Sequence, residues 1–384
     1  MFVPYVIPGE KVRVRIVEDG KRFARGEVVE ILEASAERIQ PECPHFGVCG
    51  GCHYQHIAYD AQLRYKRAIL HDQLTRIGKL KEVGEITVFP SEKPFGYRNV
   101  IQFHPSANGK MGFKKWKSEE VFEIERCLLP EDTIREFWKY LQFDADTGIE
   151  RVEVRQNEDG ELMVVLQGVD AKIPEIAVDM PISMAHQVGG EVIVLSGDEG
   201  ILMHIKDVPF HLSAGAFFQV NSAITEKMVD RLVGVVKEAR PRTVLDLYAG
   251  AGLFSRFMAP HVDNLIAIES SEQACRDFAV NLDAFDGIAL YEGAVEQVLP
   301  ALDMDAEMAV CDPPRAGLHV DVVDALGRSG IQKLVYISCD PATLARDVKR
   351  LVEKGFVVED AALFDMFPQT YHFESMLLLS KPRV

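Results

Sequence analysis

The sequence predicts an α/β protein whose C-terminal half is a doubly wound sheet, preceded by an α+β region and a short β segment. Three observations carry that prediction. From about Ser213 onward, apolar runs alternate with stretches of helical spacing, the rhythm of a parallel sheet covered by helices. Within that half, the apolar run 243–248 turns through Gly250-Ala251-Gly252 into a helical stretch, a tight turn that lets backbone approach a ligand. Later runs stop abruptly at Cys311-Asp312-Pro313-Pro314 and Ser338-Cys339-Asp340-Pro341, as strands do at the ligand crevice of an open sheet.

The elements follow in order. Residues 1–40 alternate over 11–17 and 24–32 around a turn at Glu18-Asp19-Gly20, which predicts a short β-barrel fragment. A cysteine-rich loop and a helix over 59–78 open a second unit, 41–212. Turns at Asn108-Gly109, Glu158-Asp159-Gly160, Gly189-Gly190 and Asp198-Glu199-Gly200 mark it as α+β, with paired strands within 150–166 and 191–202. The third unit, 213–384, carries strands near 243–248, 264–268, 288–291, 308–311, 333–338, 356–364 and 375–380. Its helices fall near 222–238, 271–284, 319–328 and 341–353.

Composition bounds the function. No apolar run approaches the roughly 20 residues that span a bilayer, and residues 1–5 have no basic leader, so a cytoplasmic protein is expected, a monomer without a membrane partner. A formal charge of −17 argues against indiscriminate nucleic-acid binding. The bases are nonetheless clustered: Arg64, Lys66, Arg67, Arg76, Lys79 and Lys81 on the first helix and its exit, and Lys110, Lys114, Lys115 and Lys117 around Trp116. Each cluster alone reads as a solvated face; together with RNA chemistry they read as RNA-facing strips.

Two clusters of residues carry chemistry. In the sheet half, Asp246 before the glycine turn and Glu269 at the end of the next strand favour S-adenosylmethionine over a dinucleotide, because Ser255 stands where a third glycine would be. Glu269 is placed to meet ribose hydroxyls, and Gly250 and Gly252 to admit the ligand. Cys339 at a strand end is placed for nucleophilic attack, and Glu374, expected at the end of the next strand, for moving a proton. In the other cluster, Cys43, Cys49 and Cys52 with the distant Cys127 supply four soft ligands suited to iron–sulfur or zinc. Cys275 and Cys311 are expected to be packing residues.

These segments resemble the RNA uracil-5-methyltransferase family. The resemblance runs through Asp312-Pro313-Pro314-Arg315-Ala316-Gly317, Leu334-Val335-Tyr336-Ile337-Ser338-Cys339, and the stretch from Phe364 through Phe367-Pro368-Gln369-Thr370-Tyr371-His372-Phe373 to Glu374, with Phe217-Phe218-Gln219-Val220-Asn221 opening the domain. It implies a Rossmann-like S-adenosylmethionine-dependent methyltransferase domain and an N-terminal fragment like the RNA-binding TRAM barrel. On this resemblance Gln219, Tyr248, Glu269 and Asp312 contact S-adenosylmethionine, while Phe217, Gln219 and Arg315 meet the target uridine. Cys339 would add to uracil C6 and Glu374 remove the C5 proton, with His372 supporting Glu374.

The cysteine loop is similar to that of the family's iron–sulfur branch, which implies a 4Fe–4S cluster on Cys43, Cys49, Cys52 and Cys127 and an rRNA substrate in preference to tRNA. Asp340, Leu253 and Gly293 depart from the family pattern, which commonly has asparagine at those places. Two other readings remain at this stage: a different S-adenosylmethionine enzyme, such as a cytosine methyltransferase, and an iron–sulfur RNA-binding protein without catalysis. Ser338 speaks against the former, since cytosine enzymes commonly place proline before the nucleophile.

Overall fold

A computed structural model describes residues 1–144, 147–169, 180–302 and 305–381 of the chain. The N-terminal segment contains β1 (Lys11–Asp19) and β2 (Ala24–Glu33), paired antiparallel with irregular register. The expected barrel fragment is therefore a two-stranded hairpin, with too few strands to enclose a core. It is tied down at its base instead. Arg38 donates to both carboxylate oxygens of Glu10, at 2.6 and 2.7 Å, and its hydrogen bond holds the Glu10 carboxyl down at about 2. Ile7 packs on Ile57 and Ala61.

Helix α1 (Tyr59–Arg76) comes next, then β3 (Ile86–Phe89), β4 (Val100–Pro105), β5 (Met111–Lys114) and β6 (Val121–Glu123). Helix α2 (Asp132–Phe137) leads to β7 (Ile149–Gln156), β8 (Leu162–Gly168), β9 (Ser183–Val188) and β10 (Glu191–Ser196). Seven of these strands form one sheet in the order β10-β9-β8-β7-β4-β5-β6. Phe103, Val152, Val154, Val164 and Leu166 point from one face into a core closed by Phe137 and Trp138. The hairpin of β11 (Gly200–Ile205) and β12 (Val208–Ser213) then leads to α3 (Ser222–Ala239), capped by Asn221, whose side-chain oxygen accepts from the Ile224 amide at 3.3 Å.

The C-terminal half runs β13 (Thr243–Leu247), α4 (Leu253–Met258), β14 (Asn264–Glu269), α5 (Glu272–Leu282), β15 (Ile288–Glu292) and α6 (Val295–Val298). It continues β16 (Met308–Cys311), α7 (Val320–Arg328), β17 (Lys333–Ser338), α8 (Pro341–Glu353), β18 (Val357–Phe364) and β19 (Glu374–Ser380). The sheet order is β15-β14-β13-β16-β17-β19-β18-β3, parallel except for β19, which runs against both its neighbours. Alternate residues serve the two faces, as the period of a strand requires. Val244, Val310 and Val335 pack under α3 and α4, whereas Leu245, Ala309 and Tyr336 pack under α1, α7 and α8.

The sheet recruits residues that the sequence assigns to the second unit. Strand β3 pairs in parallel with β18 as the edge strand, and α1 buries Leu70 and Leu74 against the same layer. Lys66, expected on a solvated or RNA-facing strip, is fully buried and paired with Asp365 at 2.5 Å. Arg64 and Arg76 on the same helix are occupied by Glu37 and Asp72. Among the described residues, no helix is long and apolar enough to cross a membrane.

Candidate active site and cysteine centre

The order of chain crossings reverses between β13 and β16, and such a switch point opens a crevice at the carboxyl ends of the strands. Tyr248 and Gly250 take the turn after β13 with φ of 65° and 56°. The Gly250 amide donates to Glu269 Oε2 at 2.9 Å, and the other oxygen of Glu269 accepts from the amides of Ser270 and Ser271, both at 2.7 Å. Glu269 is thus fixed at the mouth of the crevice by three backbone donors. The two glycines do different work: a side chain at Gly250 would enter open space, whereas one at Gly252 would meet Phe278 at 2.9 Å and collide with Leu282. Gly250 leaves room beside the crevice, and Gly252 lets α4 close on α5.

Acid accumulates at this point. Asp246 is buried beneath the turn, accepts from the Ser255 hydroxyl at 2.6 Å, and is pushed up to about 7 by burial, with Asp312 and Glu269 adding repulsion. Burial also raises Asp312, at the end of β16, to about 7. Cys311 is fully buried behind it, and Cys275 is buried with its thiol 3.5 Å from the Glu269 carbonyl, as packing residues would be.

One strand further along lies the thiol. Cys339 follows β17 and is half-buried. Burial pushes its thiol up to about 11, and the nearby Glu374 and Asp312 carboxyls push the same way, while the charge of the exposed Arg315 opposes them. Glu374 begins β19 and is buried; desolvation first and Asp312 second hold its carboxyl well above the usual range, again opposed by Arg315. Cys339, Glu374, Asp312 and Arg315 are therefore brought within electrostatic reach of one another. Asp340 caps α8, its Oδ1 accepting from the amides of Ala342 and Thr343 at 3.0 and 2.9 Å, a role asparagine would share. His372 is driven down to about 4 by burial and by Arg315, so it is neutral at pH 7. Leu253 is buried in the core, and the Gly293 amide donates to the Glu269 carbonyl at 2.7 Å.

The cysteine centre lies elsewhere, along a cavity of about 700 Å³ that has the cysteine loop as one wall and Gly215–Phe218 as another. Cys43, Cys49, Cys52 and Cys127 all line it, and Phe217 enters it with 77% of its surface exposed. Burial raises the thiols of Cys52 and Cys127, the latter to about 12, and the neighbouring cysteines add to the shift. The four sulfurs are within electrostatic reach of one another, the donor set that a soft metal centre needs. As they stand, among the described residues, no three His, Cys, Asp or Glu side chains are closed around a common point. Gln219, next to Phe217, is buried, and its carbonyl accepts from Asn99 at 3.1 Å.

Sequence reasoning missed the ties between these two regions. Lys66, Gln62 and Tyr97, all from the N-terminal half, bond to the Phe367–Gln369 backbone that leads to Glu374. A buried Arg155 donates to the Ala216 carbonyl at 2.6 Å and so fixes the loop carrying Phe217. No local pattern signals such contacts.

Comparison with known proteins agrees with this geometry. The tRNA (Uracil-5-)-methyltransferase family matches residues 196–382. An uncharacterized RNA methyltransferase of Streptomyces coelicolor is 32% identical over 99% of this chain and 87% of its own length. One from Thermotoga maritima is also 32% identical, over 99% of this chain and 94% of its own. The crystal structure of Pyrococcus abyssi tRNA (uracil-54, C5)-methyltransferase in complex with S-adenosyl-L-homocysteine superimposes with a TM-score of 0.77 at 27% identity, covering 98% of this chain and 95% of that one.

Proposed function

We infer the reaction from kinship first: this chain belongs to the RNA uracil-5-methyltransferase family and is an S-adenosylmethionine-dependent RNA methyltransferase. We propose that it methylates C5 of a uridine through a covalent adduct of Cys339, with Glu374 as the base. The observation that carries this reading is the placing of Cys339 and the buried Glu374 one step beyond the Ser338–Ser375 pair of β17 and β19, within electrostatic reach of each other and of the Arg315 guanidinium.

The residue types suit each step. Uracil C5 becomes nucleophilic only when electron density enters the ring, and addition of the Cys339 thiolate to C6 supplies it as an enolate. Arg315, whose positive charge lies near that thiol, favours the thiolate and can face the enolate oxygen. C5 then takes the methyl group from the sulfonium of the donor, leaving S-adenosylhomocysteine. Glu374 removes the C5 proton, the ring electrons return, and the C6–S bond breaks to release 5-methyluridine and the thiolate. The acids around the switch point, Asp246, Glu269 and Asp312, suit a donor that carries a positive sulfonium, and Tyr248, Gly250 and Gln219 complete the residues we assign to it. Phe217, exposed at the cavity mouth, is assigned to stack on the unstacked target base, since an uracil inside a helix hides C6.

Cys43, Cys49, Cys52 and Cys127 would hold a 4Fe–4S cluster, which when bound cross-links the cysteine loop to the Cys127 segment. The cavity that all four line, and the burial of Cys52 and Cys127, support that assignment over four unrelated thiols. Iron and sulfide measured on anaerobically purified protein should be present and fall in Cys52→Ser; stoichiometric zinc without iron would replace this assignment. We take 23S rRNA as the substrate. The likeness to a solved tRNA uracil-54 enzyme favours tRNA as the second reading. Methylation of the two transcripts in parallel separates them. RNA containing 5-fluorouridine should form a denaturation-resistant complex with the protein but not with Cys339→Ala; failure of the unaltered protein to form it on a methylated RNA would end the covalent reading.

A further inference from the structure

The segment that leads to Glu374 is tied to the cysteine loop, to α1 and to the connection between β3 and β4. The amides of His53 and Tyr54, the two residues after Cys52, both donate to the carbonyl of Gln369, each at 2.9 Å. Gln369 sits at φ 67°, a left-handed conformation that a non-glycine residue keeps only when its surroundings impose it. Gln62 of α1 imposes it from the other side. Its Oε1 accepts from the Gln369 amide at 3.1 Å, and its Nε2 donates to Gln369 Oε1 at 3.0 Å and to the Tyr54 carbonyl at 3.1 Å. Gln62 is wholly buried and Gln369 nearly so.

The neighbouring carbonyls are gripped as well. Tyr97, packed in the same core cluster as Cys52 and Cys127, donates its hydroxyl to the Pro368 carbonyl at 3.2 Å. Lys66 donates to the Phe367 carbonyl at 3.0 Å. The His53 ring lies 4.5 Å from that of Tyr371, which in turn lies 4.2 Å from His372. Glu374 follows two residues later.

We infer that Gln62 and Gln369 are positioning residues for Glu374, and that the His53 and Tyr54 amides form a latch by which the cysteine loop sets the proton-abstraction step. The inference rests on the reading of Glu374 as the base. Its consequence is specific to one stage of the reaction: Cys339 directly follows β17, outside the latched segment, so addition and methyl transfer should proceed when the latch is loosened. Removal of the C5 proton should not, and the methylated adduct should accumulate.

The test uses the full-length protein with ordinary uridine RNA. Gln62→Leu keeps the bulk and removes the hydrogen bonds; Gln369→Gly keeps both the carbonyl and the backbone conformation. Misplacing a base by about 1 Å costs roughly 10- to 100-fold, so Gln62→Leu should lose turnover by that factor with KM for RNA unchanged. It should also build up a denaturation-resistant protein–RNA adduct carrying the transferred methyl. Hydrogen exchange at His53 and Tyr54 should accelerate in the same variant, while Gln369→Gly, which loses the side-chain bonds but keeps the carbonyl, should show a smaller loss of turnover and a smaller gain in exchange. A Gln62→Leu protein that binds S-adenosylhomocysteine normally yet turns over like the parent, or that slows without accumulating adduct, overturns the latch. Absence of any adduct between the unaltered protein and 5-fluorouridine RNA instead overturns the covalent reading on which it stands.

Discussion

The Cys339 thiol, raised to about 11 by burial and by the Glu374 and Asp312 carboxyls, is almost entirely protonated at neutral pH. Below that value the thiolate fraction rises about tenfold for each pH unit, so adduct formation should accelerate as pH increases. Arg315 is the one group among these neighbours that works in the other direction. A nearby opposite charge is worth about 1–3 pKa units, so Arg315→Ala should slow adduct formation at pH 7 by about 10-fold or more and move the rising limb of the pH profile to more alkaline values. Arg315→Lys, which keeps the charge but not the planar fork, should fall between. Single-turnover trapping with 5-fluorouridine RNA across a pH series measures this directly, and identical profiles for the parent and Arg315→Ala would remove Arg315 from the activation of the thiol.

Helix α1 illustrates what pattern reading can and cannot recover. The helix itself was legible from its spacing, as were the strands and helices of the C-terminal half, because an apolar run bounded by glycine or proline has few alternatives. Part of the chemistry at strand ends was legible for the same reason: Asp312 and Cys339 sit where runs stop, whereas Glu374, expected at the end of a strand, begins β19. The fate of Lys66 was not. A lysine among arginines on a polar helix reads as solvated, and its partner Asp365 lies 299 residues away. Strand β3 was illegible too, since four residues carry little pattern and its partner strand comes at the far end of the chain. The buried pair has a measurable consequence. Lys66→Ala leaves Asp365 enclosed with only the Tyr59 hydroxyl, at 2.7 Å, for a side-chain partner, and breaking a buried pair costs about 3–5 kcal/mol. Urea unfolding should report a loss of that order, whereas replacing both partners together, Lys66→Met with Asp365→Leu, should recover much of it. Equal losses in the single and double variants would mean that the helix packs there for other reasons.

The molecule as a whole carries a charge of −17 and must still hold a polyanion. The distribution resolves the conflict. Arg98, Arg126, Arg151, Arg155, Lys114 and Lys115 line the cavity between the cysteine loop and Phe217, against the single acid Glu153. Glu119 and Glu120 pair with Lys114 and Lys115 from the outer side, and exposed pairs of this kind are weak enough for phosphate to displace. Acids outnumber bases over the rest of the chain, so binding should depend mainly on this concave strip, with few phosphate contacts. Each contact with single-stranded RNA contributes a slope of about −0.7 to the logarithm of affinity against the logarithm of salt. Replacing Arg126 and Arg151 by alanine should therefore weaken RNA binding and flatten the slope by about 1.4 if each neutralises a phosphate. Binding of S-adenosylhomocysteine at the distant switch point should stay unchanged. Measured over a salt series, an unaltered slope would place the RNA on another face, and Arg67, Lys79 and Lys81 on the first helix and its exit would then be the next to neutralise.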